Sequence, residues 1–322
     1  MKKHVLYWVI LVAILVSCNK EPKPDAHVIS VIMRMSNAET ASMLIAGTGS
    51  VTIDWGDGRE SETYTLKPYV YPEWEYAVDH FSSKSYNYGH TYFNGAYTIK
   101  IEGDNITHFE CSAKRRTGWG LGWGLAGLDV SRSPALQWLS CCDNYYLTSL
   151  DVSKNTALTY LRCSKNELSD LDVSNNIALT LLYCNNNQLT TLNLHTNTAL
   201  KELACGSNLL TALDVSRNTA LQFLNCWYSH ITSLNLDNNP NLTQVWCEGN
   251  QLTVLDVSNN NRLRDLDCRS NHLTAEALND LFGTLHNNPL PGKEVSIYGN
   301  PGAGAYTNGA VINGWRINIF QN

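Results

Sequence analysis

The chain has 322 residues, of which 23 are Lys or Arg and 29 are Asp or Glu, giving a formal net charge of −6. After residue 18, residues 114–116 are the only basic run. The sequence therefore lacks the basic surface patch that a nucleic-acid-binding protein needs. The nine histidines are scattered, and none has a recurring carboxylate or nucleophile beside it. We therefore predict a protein that is not an enzyme and that has no cofactor and no metal.

Residues 1–18 have the pattern of a signal peptide, with Lys2 and Lys3 before an apolar run over 5–16. That run is too short for a permanent span, which needs about 20 residues. Its last four residues, 15–18, resemble a bacterial lipobox. The resemblance implies that Cys18 is acylated and becomes the first mature residue, and that Asn19 after it directs the protein to the outer membrane. Residues 19–26, with two prolines, are predicted to form an extended tether.

Residues 27–104 are predicted to form a β-sandwich. Apolar runs over 28–33, 43–46, 51–55 and 97–101 have the length and alternation of strands. A tight turn is predicted at 56–58, where Asp54 and Asp57 have either a turn role, which we favour, or a calcium-binding role. The WGDG sequence at 55–58, the HTY sequence at 90–92 and the alternation that follows resemble the PKD-type β-sandwich.

Two aromatic segments interrupt this plan. The first is a long insertion within 67–88, and either it binds a ligand or it covers the sandwich edge. Its aromatic residues are Tyr69, Tyr71, Trp74, Tyr76, Phe81, Tyr86 and Tyr88. The second is a glycine-rich arch with Trp119 and Trp123, for which packing between domains is favoured over ligand binding.

Residues 105–273 contain a regular repeat. Its LDV-like leucines are separated by 22 residues once and then by 21 residues five times, which is typical of a solenoid. These leucines are Leu128, Leu150, Leu171, Leu192, Leu213, Leu234 and Leu255. The unit LxxLxCxxNxLTxLDVSxN resembles the leucine-rich repeat. Because residues alternate along each short strand, Leu161 and Cys163 are predicted to point inward, and Tyr160, Arg162 and Ser164 to point outward onto the open side of a parallel sheet.

Two files of asparagine recur within the repeats. The first is Asn144, Asn166, Asn187, Asn208, Asn250 and Asn271, with Ser229 as the one departure. The second is Asn155, Asn176, Asn197, Asn218, Asn239 and Asn260. An amide side chain both donates and accepts hydrogen bonds, so we predict that both files satisfy backbone groups of neighbouring turns.

One cysteine recurs at the same position in seven successive units. These are Cys141, Cys163, Cys184, Cys205, Cys226, Cys247 and Cys268. The spacing predicts a line of thiols at about 4.8 Å per step. A line does not converge on a tetrahedral metal, and like-directed side chains on adjacent strands seldom reach disulfide geometry. We therefore predict buried free thiols that act as small apolar residues.

The two ends of the solenoid are predicted to be closed. Ile106, Phe109 and Cys111 repeat the inward pattern and would form a first rung that joins the sandwich directly to the solenoid. Within 274–322, Thr274 is a good N-cap for a helix with apolar residues at 278, 281, 282 and 285, and strands follow near 295–297 and 314–317. The GNPG turn at 299–302 and the GW at 314–315 resemble the C-terminal cap of secreted repeat proteins from Bacteroides-like bacteria. The whole arrangement resembles a Bacteroides-type leucine-rich-repeat lipoprotein.

The predicted outward positions form a concave open face that is rich in aromatic residues. The solenoid core does not require aromatics there, so they are the best candidates for binding. The candidate ligand-binding residues are Trp138, Tyr160, Tyr183, Phe223, Trp227, Tyr228, Trp246, Glu248, Asp265 and Asp267. Asp265 and Asp267 lie near Arg264 and Arg269, which favours a solvated salt-bridge patch over a catalytic pair.

These features predict a lipid-anchored protein of the cell envelope, surface-exposed on the outer membrane. The leading hypothesis is protein binding or adhesion through the concave face, which leucine-rich-repeat solenoids commonly perform, although fold alone does not settle function. The exposed aromatics leave glycan binding as an alternative. A structural envelope role without a soluble ligand is the third reading.

Overall fold

The computed structural model describes residues 26–35, 39–68, 87–92, 95–111 and 124–319. Their strands form one hydrogen-bonded network in which an antiparallel region at the N-terminal end continues into a long parallel ladder. The signal peptide, most of the tether, most of the aromatic insertion and the arch with Trp119 and Trp123 lie outside the described residues.

Six strands form the N-terminal region. They are β1 (His27–Met35), β2 (Glu39–Asp54), β3 (Glu62–Thr65), β4 (Asn87–Tyr92), β5 (Gly95–Glu110) and β6 (Gly124–Arg132). β1 pairs antiparallel with β5 and β6, and β2 pairs antiparallel with β3, β4 and β5. Fully buried side chains such as Ile29, Ile45 and Ile101 form its core.

The two apolar runs predicted as separate strands, 43–46 and 51–55, belong almost entirely to the single strand β2. Its pairing with β5 shifts register between Ala46 and Gly47 and again between Thr48 and Val51. Gly47 lies so close to β5 that a Cβ there would come within 1.9 Å of the Asn105 carbonyl oxygen. The irregularity breaks the alternation of residues, and for that reason the sequence suggested two strands.

The turn after β2 is built by Asp54 and Asp57. Asp54 Oδ1 accepts a hydrogen bond from the Gly56 amide at 2.9 Å, and Asp57 Oδ1 accepts one from the Arg59 amide at 3.1 Å. The favoured turn role is therefore confirmed for both carboxylates. The resemblance to a PKD-type domain stays a prediction.

The two regions share a strand. The last residues of β5 pair in parallel with β7, so that Phe109 lies opposite Leu139. The Cys111 amide donates to the Ser140 carbonyl at 2.9 Å, just as the Cys141 amide donates to the Arg162 carbonyl at 2.8 Å. The predicted first rung is confirmed, and the boundary placed between residues 104 and 105 falls inside β5.

The repeats form a parallel β-solenoid. Its strands are β7 (Trp138–Ser140), β8 (Tyr160–Arg162), β9 (Leu181–Tyr183), β10 (Glu202–Ala204), β11 (Phe223–Asn225), β12 (Gln244–Trp246) and β13 (Asp265–Asp267). They pair in parallel, and each central residue lies opposite the next, for example Leu203 opposite Leu224. Those central residues are fully buried. The predicted mainly-β solenoid with repeats of about 21 residues is therefore confirmed.

The first asparagine file bonds as predicted and the second does not. Asn166 Nδ2 donates to the carbonyls of Cys141 (3.0 Å) and Cys163 (2.8 Å), while its Oδ1 accepts from the Asn144 amide at 3.1 Å. Asn176 Nδ2 also donates to two carbonyls, but its buried Oδ1 accepts no hydrogen bond from any described residue. The second file donates hydrogen bonds as predicted, but the prediction that it also accepts them was wrong, because both backbone groups that the amide reaches are carbonyls.

The cysteines form the predicted ladder of thiols. All nine cysteines of the described residues are buried and free, and Cys111 extends the ladder of seven by one rung. Burial raises the pKa of Cys184 and of Cys226 from 9.0 to about 12. The thiols therefore stay protonated and act as apolar side chains.

The C-terminal segment extends the ladder beyond β13. Helix α1 (Ala275–Thr284) begins after Thr274, whose Oγ1 accepts from the Ala277 amide at 3.2 Å, and its apolar side is buried. Strands β14 (Glu294–Ser296) and β16 (Trp315–Asn318) continue the parallel sheet, and β15 (Val311–Ile312) pairs antiparallel with β16 at the edge. None of the helices in the described ranges is long and apolar enough to cross a membrane.

Candidate functional site: the open face of the solenoid

The open face is made of columns of side chains, one from each rung. Strand register aligns the first column as Trp138, Tyr160, Leu181, Glu202, Phe223, Gln244 and Asp265. The second column is Ser140, Arg162, Tyr183, Ala204, Asn225, Trp246 and Asp267. Two residues after each strand, a third position holds Trp227 and Glu248, and Tyr228 lies one residue further on. The columns therefore bring the sequence-predicted site residues onto one surface.

The aromatic residues at the N-terminal end of this surface are packed together. The Trp138 ring lies 5.9 Å from the His108 ring and 4.9 Å from the Tyr160 ring, between centroids. Only 4% of Trp138 is exposed, so it offers little surface to a ligand, unlike the open aromatic position that the sequence predicts. Burial also lowers the pKa of His108 to about 4. Beyond them, the Arg162 guanidinium lies 5.6 Å from the centroid of the Tyr183 ring.

A second group, which we call the aromatic cluster, consists of Phe223, Trp227, Tyr228 and Trp246. The Phe223 and Trp246 rings meet edge to face at 5.1 Å, and the Trp227 and Tyr228 rings lie 5.9 Å apart. Trp246 Nε1 donates to Asp265 Oδ2 at 2.9 Å. The Tyr228 hydroxyl donates to Glu248 Oε1 at 3.0 Å, although 52% of the tyrosine is exposed. These contacts hold the rings in defined orientations.

Two glycines make room for the aromatic cluster. A Cβ at Gly206 would lie 1.8 Å from Trp227 Cδ1, so the indole rests directly on the backbone of the preceding rung. On the following rung, a Cβ at Gly249 would lie 2.4 Å from Tyr228 Cδ1. Sequence reasoning missed both glycines. The available signal was that each glycine occupies the same position of the repeat as a bulky aromatic in an adjacent unit: Gly206 aligns with Trp227, and Gly249 aligns with Tyr228.

The backbone at Tyr228 is itself unusual. Its φ of 42° lies in the left-handed region, which bulky side chains rarely adopt. The equivalent position in other units carries Asp143, Lys165, Asn186, Ser207, Gly249 and Ser270, which also have positive φ. The tyrosine thus stands where the fold favours a small or polar residue, and its ring lies against Gly249 of the following rung.

The rung that carries Phe223, Trp227 and Tyr228 also lacks the asparagine of the first file. Ser229 replaces the asparagine, and its buried Oγ has no hydrogen-bond partner within the described part of the chain. In neighbouring rungs, Asn208 Oδ1 accepts from the Leu189 amide and Asn250 Oδ1 from the Ile231 amide, at 3.0 and 3.1 Å. A serine side chain is too short to make this bridge.

Charged residues border the aromatic cluster on its C-terminal side. Arg269 Nη2 donates to Asp267 Oδ2 at 2.7 Å and to Glu248 Oε2 at 2.8 Å, and its Nε donates to Asp267 Oδ1 at 2.8 Å. The hydrogen bond to Asp267 raises the pKa of Arg269 above its usual range. Burial raises the pKa of Asp265, and the negative charges of Asp267 and Glu294 add to that shift. The predicted salt-bridge patch is present at Asp267, whereas Asp265 bonds to Trp246 instead.

A separate groove of about 590 Å³ lies where β1 and β6 meet the returning halves of the first repeats. It is lined by Ser30, Ile32, Leu128, Asp129, Asp151 and Asp172, among others. Sequence reasoning did not predict it. No group of three or more His, Cys, Asp or Glu side chains in the described ranges is arranged to hold a metal ion.

Comparison with known proteins supports the fold. No protein-family model matches the sequence, and no curated protein matches it. The functional domain of InlJ from Listeria monocytogenes, which includes a cysteine ladder, is 34% identical to this chain, with a TM-score of 0.52. The match covers 61% of this chain and 42% of that domain, so the chain spans less than half the length of the structure it matches.

Two further structures match with lower similarity. Internalin C2 from Listeria monocytogenes str. 4b F2365 is 20% identical over 55% of this chain and 77% of its own, with a TM-score of 0.44. YopM from Yersinia enterocolitica WA-314 is 20% identical over 52% of this chain and 34% of its own, with a TM-score of 0.41. The structural neighbours are thus leucine-rich-repeat proteins.

Proposed function

We propose that this chain is a binding protein that engages a protein partner through the open face of its solenoid. The observation that carries the proposal is the aromatic cluster, because its rings are fixed by hydrogen bonds and close backbone contacts on a sheet face that no other described element covers. Rigid aromatic anchors supply much of the binding energy in protein interfaces and lose little conformational entropy. A binding role in general also agrees with the leucine-rich-repeat fold of the InlJ domain.

We further propose that the protein is anchored to the outer membrane and exposed on the cell surface. The support is the lipobox resemblance at residues 15–18, which makes Cys18 the acylated residue. Metabolic labelling with a tagged fatty acid tests this, and we expect the label to disappear in Cys18→Ser. A variant that keeps the label would overturn the anchor without affecting the proposed binding role. With the anchor in place, the PKD-like region would act as a stalk between the lipid and the solenoid.

Glycan binding is the second candidate function, and the exposure of Tyr228 favours it. The Trp227 ring lies against Gly206, and 52% of Tyr228 is exposed beside it. Planar aromatic surfaces of this kind stack on sugar rings as readily as on protein side chains. The two candidates differ in ligand class and share the same surface.

The experiment that tests the proposal compares three full-length chains. They are the natural sequence, a Trp227→Ala and Trp246→Ala double variant, and an Ile177→Ala and Val254→Ala control. Ile177 and Val254 are 62% and 65% exposed and lie outside the columns of the open face. Each chain is immobilised and exposed to a glycan panel and to an extract of surface proteins.

We expect saturable binding that the control keeps and the tryptophan variant loses. If a purified glycan is the ligand, the glycan function replaces the protein-binding one. Binding that survives both tryptophan substitutions would contradict the assignment of the site to the open face.

A further inference from the structure

The open face has an uneven distribution of charge. Along the strand positions and the third position from β10 to β14, there are five carboxylates and one cation. The carboxylates are Glu202, Glu248, Asp265, Asp267 and Glu294, and the cation is Arg269. This half of the face is therefore strongly acidic, and it is the half that contains the aromatic cluster.

The one cation is already occupied within the molecule. Arg269 bonds to Asp267 and Glu248 at 2.7 and 2.8 Å, and 23% of its side chain is exposed. These three side chains satisfy one another and keep a net negative charge. Arg269 is engaged with Asp267 and Glu248, and its charge offsets only part of the rise in the pKa of Asp265 that burial and the neighbouring carboxylates cause.

Asp265 and Glu294 lie opposite each other on adjacent strands. Asp265 accepts a hydrogen bond from the neutral Trp246 indole. Glu294 accepts a long hydrogen bond from Asn318 Nδ2 at 3.4 Å and has a loose ion pair with the exposed Arg316 at 3.9 Å. Two carboxylates one strand apart repel each other, and partial burial of Asp265 adds to the cost. A cation placed between them would relieve both effects.

The aromatic rings beside these carboxylates complete the complementarity. The Trp246 indole is held next to Asp265 by its hydrogen bond, and Phe223 packs edge-on against it. A guanidinium group stacks on an indole face and bonds to carboxylates at its edge, which makes arginine the side chain that best matches this combination. An acidic ligand would meet repulsion at the same place.

We propose that the partner of the open face is a protein that presents a basic, arginine-bearing segment to the surface formed by Phe223, Trp246, Asp265 and Glu294. The proposal rests on the proposed binding function and names the chemistry of its partner. It also fixes where the partner sits, because the basic segment binds over the C-terminal rungs of the open face.

The test uses a blocked heptapeptide of alternating glycine and arginine as the probe, with a glycine–glutamate heptapeptide of the same length as its counterpart. Binding to the full-length chain is measured by titration calorimetry at low ionic strength. One double variant is Asp265→Asn with Glu294→Gln, which keeps an acceptor for the Trp246 indole. The matched control is Asp151→Asn with Asp172→Asn, which removes the same charge from the returning halves of the repeats and keeps the turn acceptors for Ser153 and Ser174.

We expect the arginine peptide to bind, the glutamate peptide not to bind, and the Asp265/Glu294 variant to weaken arginine-peptide binding about tenfold, as the loss of charge pairs at an interface does. The control variant should retain the original affinity. Equal weakening in both variants would show that only net charge matters and would overturn the proposal, as would a failure of the arginine peptide to bind.

The outcome is separable from that of the proposed function. If the tryptophan variant loses its partner but the Asp265/Glu294 variant keeps it, binding at the open face stands and the basic segment is wrong. If both variants keep the partner, both proposals fail.

Discussion

Trp227 rests on the backbone of Gly206, and the missing side chain at Gly206 leaves the room that the indole occupies. We predict that Gly206→Ala lowers the free energy of unfolding by about 1–3 kcal/mol or displaces the indole, because the new methyl group would overlap the ring. Urea unfolding followed by tryptophan fluorescence measures both effects. Gly283→Ala is the control, since no atom lies within 4 Å of its Cβ position and the helix favours alanine. Equal effects of both substitutions would contradict the contact.

Ser229 interrupts the first asparagine file at the rung of the aromatic cluster. We predict that Ser229→Asn raises the free energy of unfolding by about 1 kcal/mol, because the amide can make the bridge that its neighbours make. The reverse change one rung later, Asn250→Ser, should lower it by a similar or larger amount, since it leaves buried backbone groups without their partner. Denaturant midpoints of the two variants and the natural chain test the prediction. A destabilised Ser229→Asn would mean that the site cannot accommodate the amide.

At the scale of the element, the cysteine ladder forms a line of buried free thiols along the solenoid core. Burial raises the pKa of the Cys184 and Cys226 thiols to about 12, whereas in the unfolded chain they ionise near 9.0. The raised pKa means that the unfolded chain loses protons first as the pH rises. The contribution of these protonated thiols to the stability of the folded state is therefore fully present below pH 9 and is lost between about pH 9 and 12.

We therefore predict that the urea midpoint of the natural chain falls steadily above pH 9. Replacing Cys184 and Cys226 with alanine should make that dependence shallower while lowering the midpoint at pH 7, and the remaining buried thiols, whose pKa values burial also raises, should keep the rest of it. A thiol reagent should label the native protein slowly, and a denatured chain lacking residues 1–18 should show close to nine free thiols. A much smaller number would indicate oxidised cysteines.

At the scale of the whole molecule, β5 connects the antiparallel region to the solenoid without a break. Its first half pairs with β1 and its last residues pair with β7. The stability of a solenoid depends on contacts between neighbouring rungs. A destabilising substitution near this junction should therefore destabilise the antiparallel strands, whereas one at the far end should not.

We predict that Leu139→Ala increases amide hydrogen exchange in β1 and β5, whereas Leu266→Ala leaves those strands protected and affects β12 to β14. Both leucines are fully buried and occupy the same position in their rungs, so the two variants are matched in chemistry. Hydrogen exchange read by mass spectrometry resolves the strands. Exchange in β1 that responds equally to both variants would indicate that the chain unfolds as one unit.

The repeat was predictable because identical residues recur at a fixed interval. Inward leucines and cysteines, and the outward positions between them, follow from alternation along a strand. The same reasoning predicted the rung at Phe109 and the N-cap at Thr274. It did not extend to β2, where Gly47 allows an irregularity that breaks the alternation.

By itself, the sequence determined the solenoid, its register and the face on which the aromatics lie, since these follow from local periodicity. Only the tertiary structure decided which of those aromatics are accessible. Trp138 packs between His108 and Tyr160 of the two adjacent rungs. Trp227 and Tyr228, on one rung, instead lie against Gly206 of the preceding rung and Gly249 of the following rung. The physical reason is that exposure depends on side chains one repeat away, and a residue's own position in the repeat does not encode them.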